Sequence, residues 1–233
     1  ASLTKSVFAY TIAQLAEDNI ELNFDAVFKN ALDDDVAEVR VAALRGLYEY
    51  DSHDLIASLI ELLQGDDDAS VRRESAIALG RYAASTGSDA ILFTCSAFGP
   101  CIEAVARAHA PMPVLKPNEA MIEQAFARGR KVGLLSTFPP TLVSMPPEFP
   151  SSVQIVPKLA EGALAALDRG DRAAHDRLVV EASKSLCDCD LIALAQYSMA
   201  PAAELVAAAS GRPVLTTPDS AVLKLKQLLG VAA

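Results

Sequence analysis

Ile91-Leu92-Phe93-Thr94-Cys95-Ser96-Ala97-Phe98-Gly99-Pro100 is the stretch at which this chain changes its structural grammar. A short apolar run ends on a cysteine, small residues follow, and an amphipathic helix is expected from Ile102. A thiol at the tip of a strand, facing the start of the next helix, lies where backbone N–H groups and the helix dipole favour the thiolate. Such a cysteine works as an acid–base group or a nucleophile, which makes Cys95 the first candidate catalytic residue. The competing reading is a small buried hydrophobe, the usual state of a free cysteine.

Downstream of this stretch, strand-like runs alternate with helices. Strands are expected at Ala90 to Thr94, Val114-Leu115, Lys131 to Ser136, Val153 to Val156, Leu191 to Ala195 and Pro213 to Thr216. Helices are expected between and after them, at Ile102 to Ala108, Asn118 to Arg128, Lys158 to Asp168, Ala173 to Cys187, Ala202 to Ala209 and Ser220 to Leu229. Strands separated by helices of this length build βαβ units and a mostly parallel sheet. Ligands of such sheets sit beyond the carboxyl ends of the strands. Those ends are Cys95-Ser96, Ser136-Thr137, Gln196-Tyr197-Ser198 and Thr216-Thr217, all small or polar. The Pro-rich run from Pro139 to Pro150 reads as a connecting loop, with a pocket lid as the alternative.

Upstream, to about residue 83, the sequence reads as short amphipathic helices alone. Asp33-Asp34-Asp35 precedes Val39-Arg40, and Asp66-Asp67-Asp68 precedes Val71-Arg72, one unit 32 residues after the other. Each acidic turn is expected to cap the helix behind it, and Asp54 to Leu63 supplies the partner helix. An earlier helix is expected over Val7 to Ala16. Paired helices at this period are the signature of an α-solenoid, and the pattern resembles HEAT-type repeats. In such repeats Arg40 and Arg72 are expected to pair with acidic turn residues of neighbouring units. The domain boundaries read from the sequence are therefore 1–83 and 84–233.

Composition bounds the function. In 233 residues the chain carries a net charge of −10, which argues against nucleic acid and anionic membrane as partners, because phosphate binding needs Lys and Arg. Apolar runs stop short of the roughly 18 residues needed to span a bilayer, and no secretory signal is visible. Four cysteines are too few for a disulfide scaffold, so a reduced, cytoplasmic protein is expected. Cys187 and Cys189 are poorly spaced for a metal pair, and Cys101 is expected in the core. His53, His109 and His175 lack ligand-spaced partners and are expected at the surface. Ser198 stands in no G-x-S-x-G elbow, and the glycines form no dinucleotide fingerprint.

The span from about residue 84 to 230 resembles the later two-thirds of an aspartate/glutamate racemase superfamily domain. Thr94-Cys95-Ser96-Ala97-Phe98-Gly99 resembles the first-lobe cysteine loop. Val132-Gly133-Leu134-Leu135-Ser136-Thr137, with Thr141, resembles the strand and hydroxyl loop that open the second lobe. Leu194-Ala195-Gln196-Tyr197-Ser198-Met199-Ala200 lies where the family carries its second cysteine, and Gln196 takes that place. The resemblance implies two α/β lobes around a pocket and proton transfer next to a carboxylate, with no metal or organic cofactor. It implies Cys95 as the acid–base thiol, and Ser96, Ser136, Thr137, Thr141, Gln196, Tyr197 and Ser198 around the substrate. Two departures stand out. Gln196 removes the second thiol, which leaves one-thiol chemistry: decarboxylation with one-sided protonation, or nucleophilic isomerisation. Helical repeats also replace the first βα units of the family domain.

The fold class expected is thus an incomplete racemase-like α/β parallel-sheet domain behind an all-α HEAT-like segment. The function expected is a cofactor-independent isomerase, racemase or decarboxylase acting on a small carboxylic acid through Cys95. The alternatives are a non-catalytic scaffold whose repeats bind a protein partner, and a fusion of two unrelated fragments. An unfinished first lobe would also favour self-association.

Overall fold

The computed structural model describes residues 30–47, 55–94 and 98–231. The expected helix over Val7 to Ala16 and the turn holding His53 lie outside the described residues. The described chain divides into two compact units. One takes the residues up to Ile91 together with 98–114, and the other takes 92–94 and everything from Leu115.

The first unit is built from helices α1 (Ala37–Gly46), α2 (Ile56–Gly65), α3 (Ala69–Ser85) and α4 (Gly99–Ala108). Leu32, Leu44, Leu55, Leu59 and Val71 form its core, each from the apolar stripe of its own helix or turn. The two acidic turns act differently. Asp68 caps α3, accepting from the N–H groups of Ser70 and Val71. Asp34 makes no such cap, because Val36 holds the N-cap position of α1. The Asp34 carboxylate accepts instead from the Val36 N–H at 2.8 Å and closes the turn before the helix. The pairing expected between neighbouring units is made by Arg40, whereas Arg72, among the described residues, bonds within its own turn. Arg40 forks onto Asp66 at 2.7 and 2.9 Å and donates to the Asp34 carbonyl at 2.6 Å, while Arg72 donates to the Asp66 and Asp67 carbonyls. The bidentate partner holds the Arg40 guanidinium above its ordinary range.

Helix α4 belongs to this helical unit. It buries Cys101, Ile102, Ala104 and Val105, and packs along α3. Burial pushes the Cys101 thiol up, as expected of a core cysteine. His109, expected at the surface, instead turns a ring nitrogen to the Ile77 carbonyl at 3.2 Å. The close approach is permitted by Gly80, whose missing Cβ would lie 2.8 Å from His109 Nε2.

The second unit is a parallel sheet with helices on both faces. Its strands are β3 (Lys131–Ser136), β4 (Gln154–Leu159), β5 (Leu191–Leu194) and β6 (Val214–Thr216), in the order β4-β3-β5-β6. A separate two-stranded ribbon pairs β1 (Ile91–Leu92) with β2 (Val114–Leu115). All six strands stand where the apolar runs predicted them. Period-two alternation sends Val132, Leu134, Leu191 and Ala193 to one face and Leu135, Ile192 and Leu194 to the other. The first face packs against α5 (Glu119–Arg128) and α10 (Thr217–Leu228). The second packs against α7 (Ala163–Asp168), α8 (Arg172–Ser183) and α9 (Ala203–Ser210). Asp190, just before β5, accepts from the N–H groups of Arg130 and Lys131 at 2.7 and 2.8 Å and so pins the start of β3.

Three expectations change here. Lys158 and Leu159 extend β4 rather than opening a helix, because their backbone pairs with Leu135 and Ser136 of β3. The run from Pro139 to Pro150 holds helix α6 (Pro139–Ser144) and a 3₁₀ turn (Pro146–Glu148), since proline fits the first turn of a helix, where no N–H partner is needed. His175 is fully buried in α8 rather than exposed, and its Nδ1 meets Asp176 Oδ1 at 2.7 Å. Among the described residues, no helix is long and apolar enough to cross a membrane.

Candidate functional site

Strands β3 and β5 are neighbours in the sheet but not in sequence. The chain leaves β3, lays β4 on one side, and returns past it to lay β5 on the other. The strand order therefore reverses between β3 and β5. Open parallel sheets bind ligands beyond the carboxyl ends of the strands at such a reversal. Register places Leu135 beside Leu194, so the residues following each strand emerge side by side. These are Ser136-Thr137 from β3 and Gln196-Tyr197-Ser198 from β5.

Ser136 and Thr137 are sealed from solvent, at 0% and 4% exposure. Ser136 Oγ accepts from the Phe138 N–H at 3.0 Å, which fixes the hydroxyl at the strand end. Gln196 keeps the extended backbone of β5 for one residue more, with φ −141° and ψ 143°, and this carries its side chain across to β3. Its Oε1 accepts from Thr137 N at 2.7 Å and from Thr137 Oγ1 at 2.9 Å, with Ser136 Oγ at 3.0 Å. Ser136 has one proton and two acceptors at the same distance, Gln196 Oε1 and the Phe138 carbonyl. Three donors thus converge on one oxygen at the sheet's reversal point.

Tyr197 and Ser198 open the 3₁₀ turn Tyr197–Ala202 and are half-buried. The Tyr197 hydroxyl is buried without a hydrogen-bond partner among the described residues, and burial pushes its phenol up. Thr141 lies on α6, half-buried, with its N–H bonded to the Phe138 carbonyl at 3.1 Å. No side-chain bond links it to the Ser136, Thr137 and Gln196 group among the described residues. Cys95 and Ser96 lie outside the described residues.

Beyond β6, Thr216 caps α10, accepting from the Asp219 N–H at 3.1 Å. Thr217, 1% exposed, keeps its hydroxyl buried and unpaired among the described residues. Its position at a strand end was legible in the sequence, but its unpaired hydroxyl was not, because that depends on which neighbours fold around it.

Chemically, the described group is a set of neutral donors. It holds an oxygen of partial or full negative charge, and offers no acid or base that titrates near neutrality. Proton chemistry at this edge needs a further group. Cys187 is exposed, whereas Cys189 is buried and its thiol is pushed up by that burial and by Asp188.

Residues 25–93 match the family model for HEAT repeats. No curated protein matches the chain in sequence. Among solved structures, the chain is similar to unliganded arylmalonate decarboxylase at 18% identity and a TM-score of 0.57, covering 72% of this chain and 80% of that one. It is similar to the allantoin racemase from Klebsiella pneumoniae at 22% identity and a TM-score of 0.54, covering 69% of each. A glutamate racemase from Bacillus anthracis matches at 14% identity and a TM-score of 0.51, covering 71% of this chain and 67% of that one. At these identities the likeness is one of fold.

Proposed function

We propose that this chain, an Asp/Glu racemase-like α/β fold joined to HEAT repeats, is a cofactor-independent enzyme for a small carboxylic acid. Cys95 is its acid–base group. The observation that supports this most directly is the convergence of Thr137 N, Thr137 Oγ1 and Ser136 Oγ on one oxygen at the strand-order reversal. Such donors stabilise the negative oxygen that develops when a carboxylate becomes an enediolate.

In the exchange reaction, the Cys95 thiolate takes the proton on the carbon next to the carboxylate. The C–H electron pair moves into the carboxyl group to form the enediolate, and the thiol returns a proton to the same carbon. In decarboxylation of a malonate-type acid, the bond to the second carboxyl group breaks and CO2 leaves. The electron pair forms the enediolate, Cys95 protonates the carbon from one face, and solvent restores the thiol proton. By the family resemblance Gln196 takes the place of the second thiol, and an amide neither takes nor delivers a proton near neutrality. One-sided chemistry is therefore expected to exceed racemisation.

The test incubates the full chain in D2O with glutamate and, separately, with phenylmalonate, following C–H exchange and CO2 release by NMR. Turnover that falls at least about 100-fold in Cys95→Ser, with folding intact, supports the reading. Absence of turnover with both acids, or equal turnover in Cys95→Ser, sinks it. The HEAT-repeat match favours a second reading, a scaffold whose repeats bind a protein partner in the reduced cytoplasm. Partner binding unchanged in Cys95→Ser, without turnover in either protein, would favour it.

A further inference from the structure

The three donors at the sheet reversal are already engaged, and their occupant is part of the chain. The Gln196 carboxamide oxygen is an sp² oxygen with two in-plane lone pairs, like one oxygen of a carboxylate without its charge. It sits 2.7 to 3.0 Å from all three donors. Ser136 and Thr137 are almost wholly buried, so the position held by this oxygen is the one that a ligand oxygen would need.

Among the described residues nothing accepts from Gln196 Nε2, and the residue is half-buried at the end of β5. A side chain fixed at one end and carrying three rotatable bonds is able to leave. Hydrogen bonds to a charged acceptor are roughly twice as strong as those to a neutral one, so a carboxylate competes for the donors once Gln196 swings away. Its apparent affinity is lowered by the small fraction of molecules in which the donors are free.

We propose that Gln196 is a built-in competitor at an anion site formed by Ser136 and Thr137, and that the site takes a small monocarboxylate only when the Gln196 side chain withdraws. The inference rests on the carboxylate reading above, and it assigns Gln196 as the residue that sets carboxylate affinity.

The experiment is a titration of the full chain with sodium acetate at constant ionic strength, following the Thr137 amide by two-dimensional ¹⁵N NMR. Wild type is compared with Gln196→Ala and Gln196→Glu. Gln196→Ala is expected to bind acetate at least about 10-fold more tightly than wild type. Gln196→Glu is expected to bind none, because its own carboxylate fills the site and moves the Thr137 amide signal before any acetate is added. Adding Thr137→Val to Gln196→Ala is expected to remove most of the gain. Equal acetate affinity in wild type and Gln196→Ala overturns the proposal. So does a Gln196→Ala protein whose Thr137 signal shifts on mutation yet ignores acetate. If Gln196→Ala fails to fold, Gln196→Ser is judged by the same titration. Acetate binding needs no turnover, so an inactive chain that still shows the gain in Gln196→Ala defeats the enzyme reading and leaves this one standing.

Discussion

The two units differ in where they keep their buried polar groups. In the helical unit each is used within the scaffold: Ser75 bonds back to the Val71 carbonyl, Glu74 takes Arg45, and Asp66 takes the fork of Arg40. In the sheet unit Ser183 and Ser210 likewise bond back to the Val180 and Val206 carbonyls of their helices, but a second set, Ser136, Thr137, Thr216 and Thr217, gathers at the carboxyl ends of the strands. The three buried side-chain atoms without a partner among the described residues, His175 Nε2, Tyr197 OH and Thr217 Oγ1, all belong to it. Two of the three, Tyr197 and Thr217, follow the carboxyl ends of β5 and β6, whereas His175 lies in α8. The contrast separates a unit whose buried polar side chains, among the described residues, are paired within its helices and turns from one that carries a further polar set at the sheet edge.

The strongest way to break this comparison is to empty each core in turn. Leu44 and Leu194 are both fully buried, and Leu→Ala at either is expected to cost about 2–5 kcal/mol. Hydrogen exchange read by mass spectrometry should show Leu44→Ala losing protection first in the helical unit and Leu194→Ala in the sheet unit. Equal loss in both units from either change would mean that they open as one, and the contrast would lose its meaning.

Adding a methyl group sharpens the comparison further. A Cβ at Gly133 would stand 3.0 Å from Leu186 Cδ1 and 3.2 Å from Leu186 Cβ, inside a closed core. Gly133→Ala is therefore expected to cost about 1–3 kcal/mol. A Cβ at Gly80 would meet the half-buried His109 ring at 2.8 Å and Val105 Cγ1 at 3.1 Å, side-chain atoms rather than backbone, and alanine is favoured over glycine inside a helix by about 1 kcal/mol. Gly80→Ala should thus stay within about 1 kcal/mol of wild type, the helix gain offsetting the His109 bond to Ile77. Urea midpoints at unchanged slope measure both. A Gly80→Ala cost as large as that of Gly133→Ala would mean that the ring is locked in place.

The smallest effect is expected in acid. The Ser70 hydroxyl, followed by the backbone N–H groups of Ser70 and Val71, holds the Asp68 carboxyl below the usual carboxylate range. The N–H groups of Lys131 and Arg130 do the same for Asp190. Both carboxyls titrate lower in the folded chain than in the unfolded one. Their stabilisation is therefore complete above the unfolded value of about 4 and is lost as pH falls through the lower folded values. Asp68→Asn and Asp190→Asn should each flatten the fall in stability between about pH 5 and pH 2. Solvent screens both groups, so the change is small. Curves that run parallel to wild type would show that neither carboxylate is held down in the fold.

Much of the fold was legible because it rests on local periodicity. Short apolar runs between helices located all six strands, and the Val-Arg spacing found the repeat whose family model matches residues 25–93. The errors fell where local and tertiary signals compete. Lys158 and Leu159 continue a strand because β3 offers them partners, and His175 is buried because α8 turns it inward. Of the site, the sequence alone determined which residues end the strands: Ser136, Thr137, Gln196 and Thr217 follow from where the apolar runs stop. Tertiary structure decided that β3 and β5 lie side by side, 60 residues apart from Ser136 to Gln196, and that one amide oxygen fills the space between three donors. The physical reason is range. Side-chain alternation is written within a few residues, whereas strand order and the reach of Gln196 depend on how helices on both faces of the sheet pack, which no local pattern encodes.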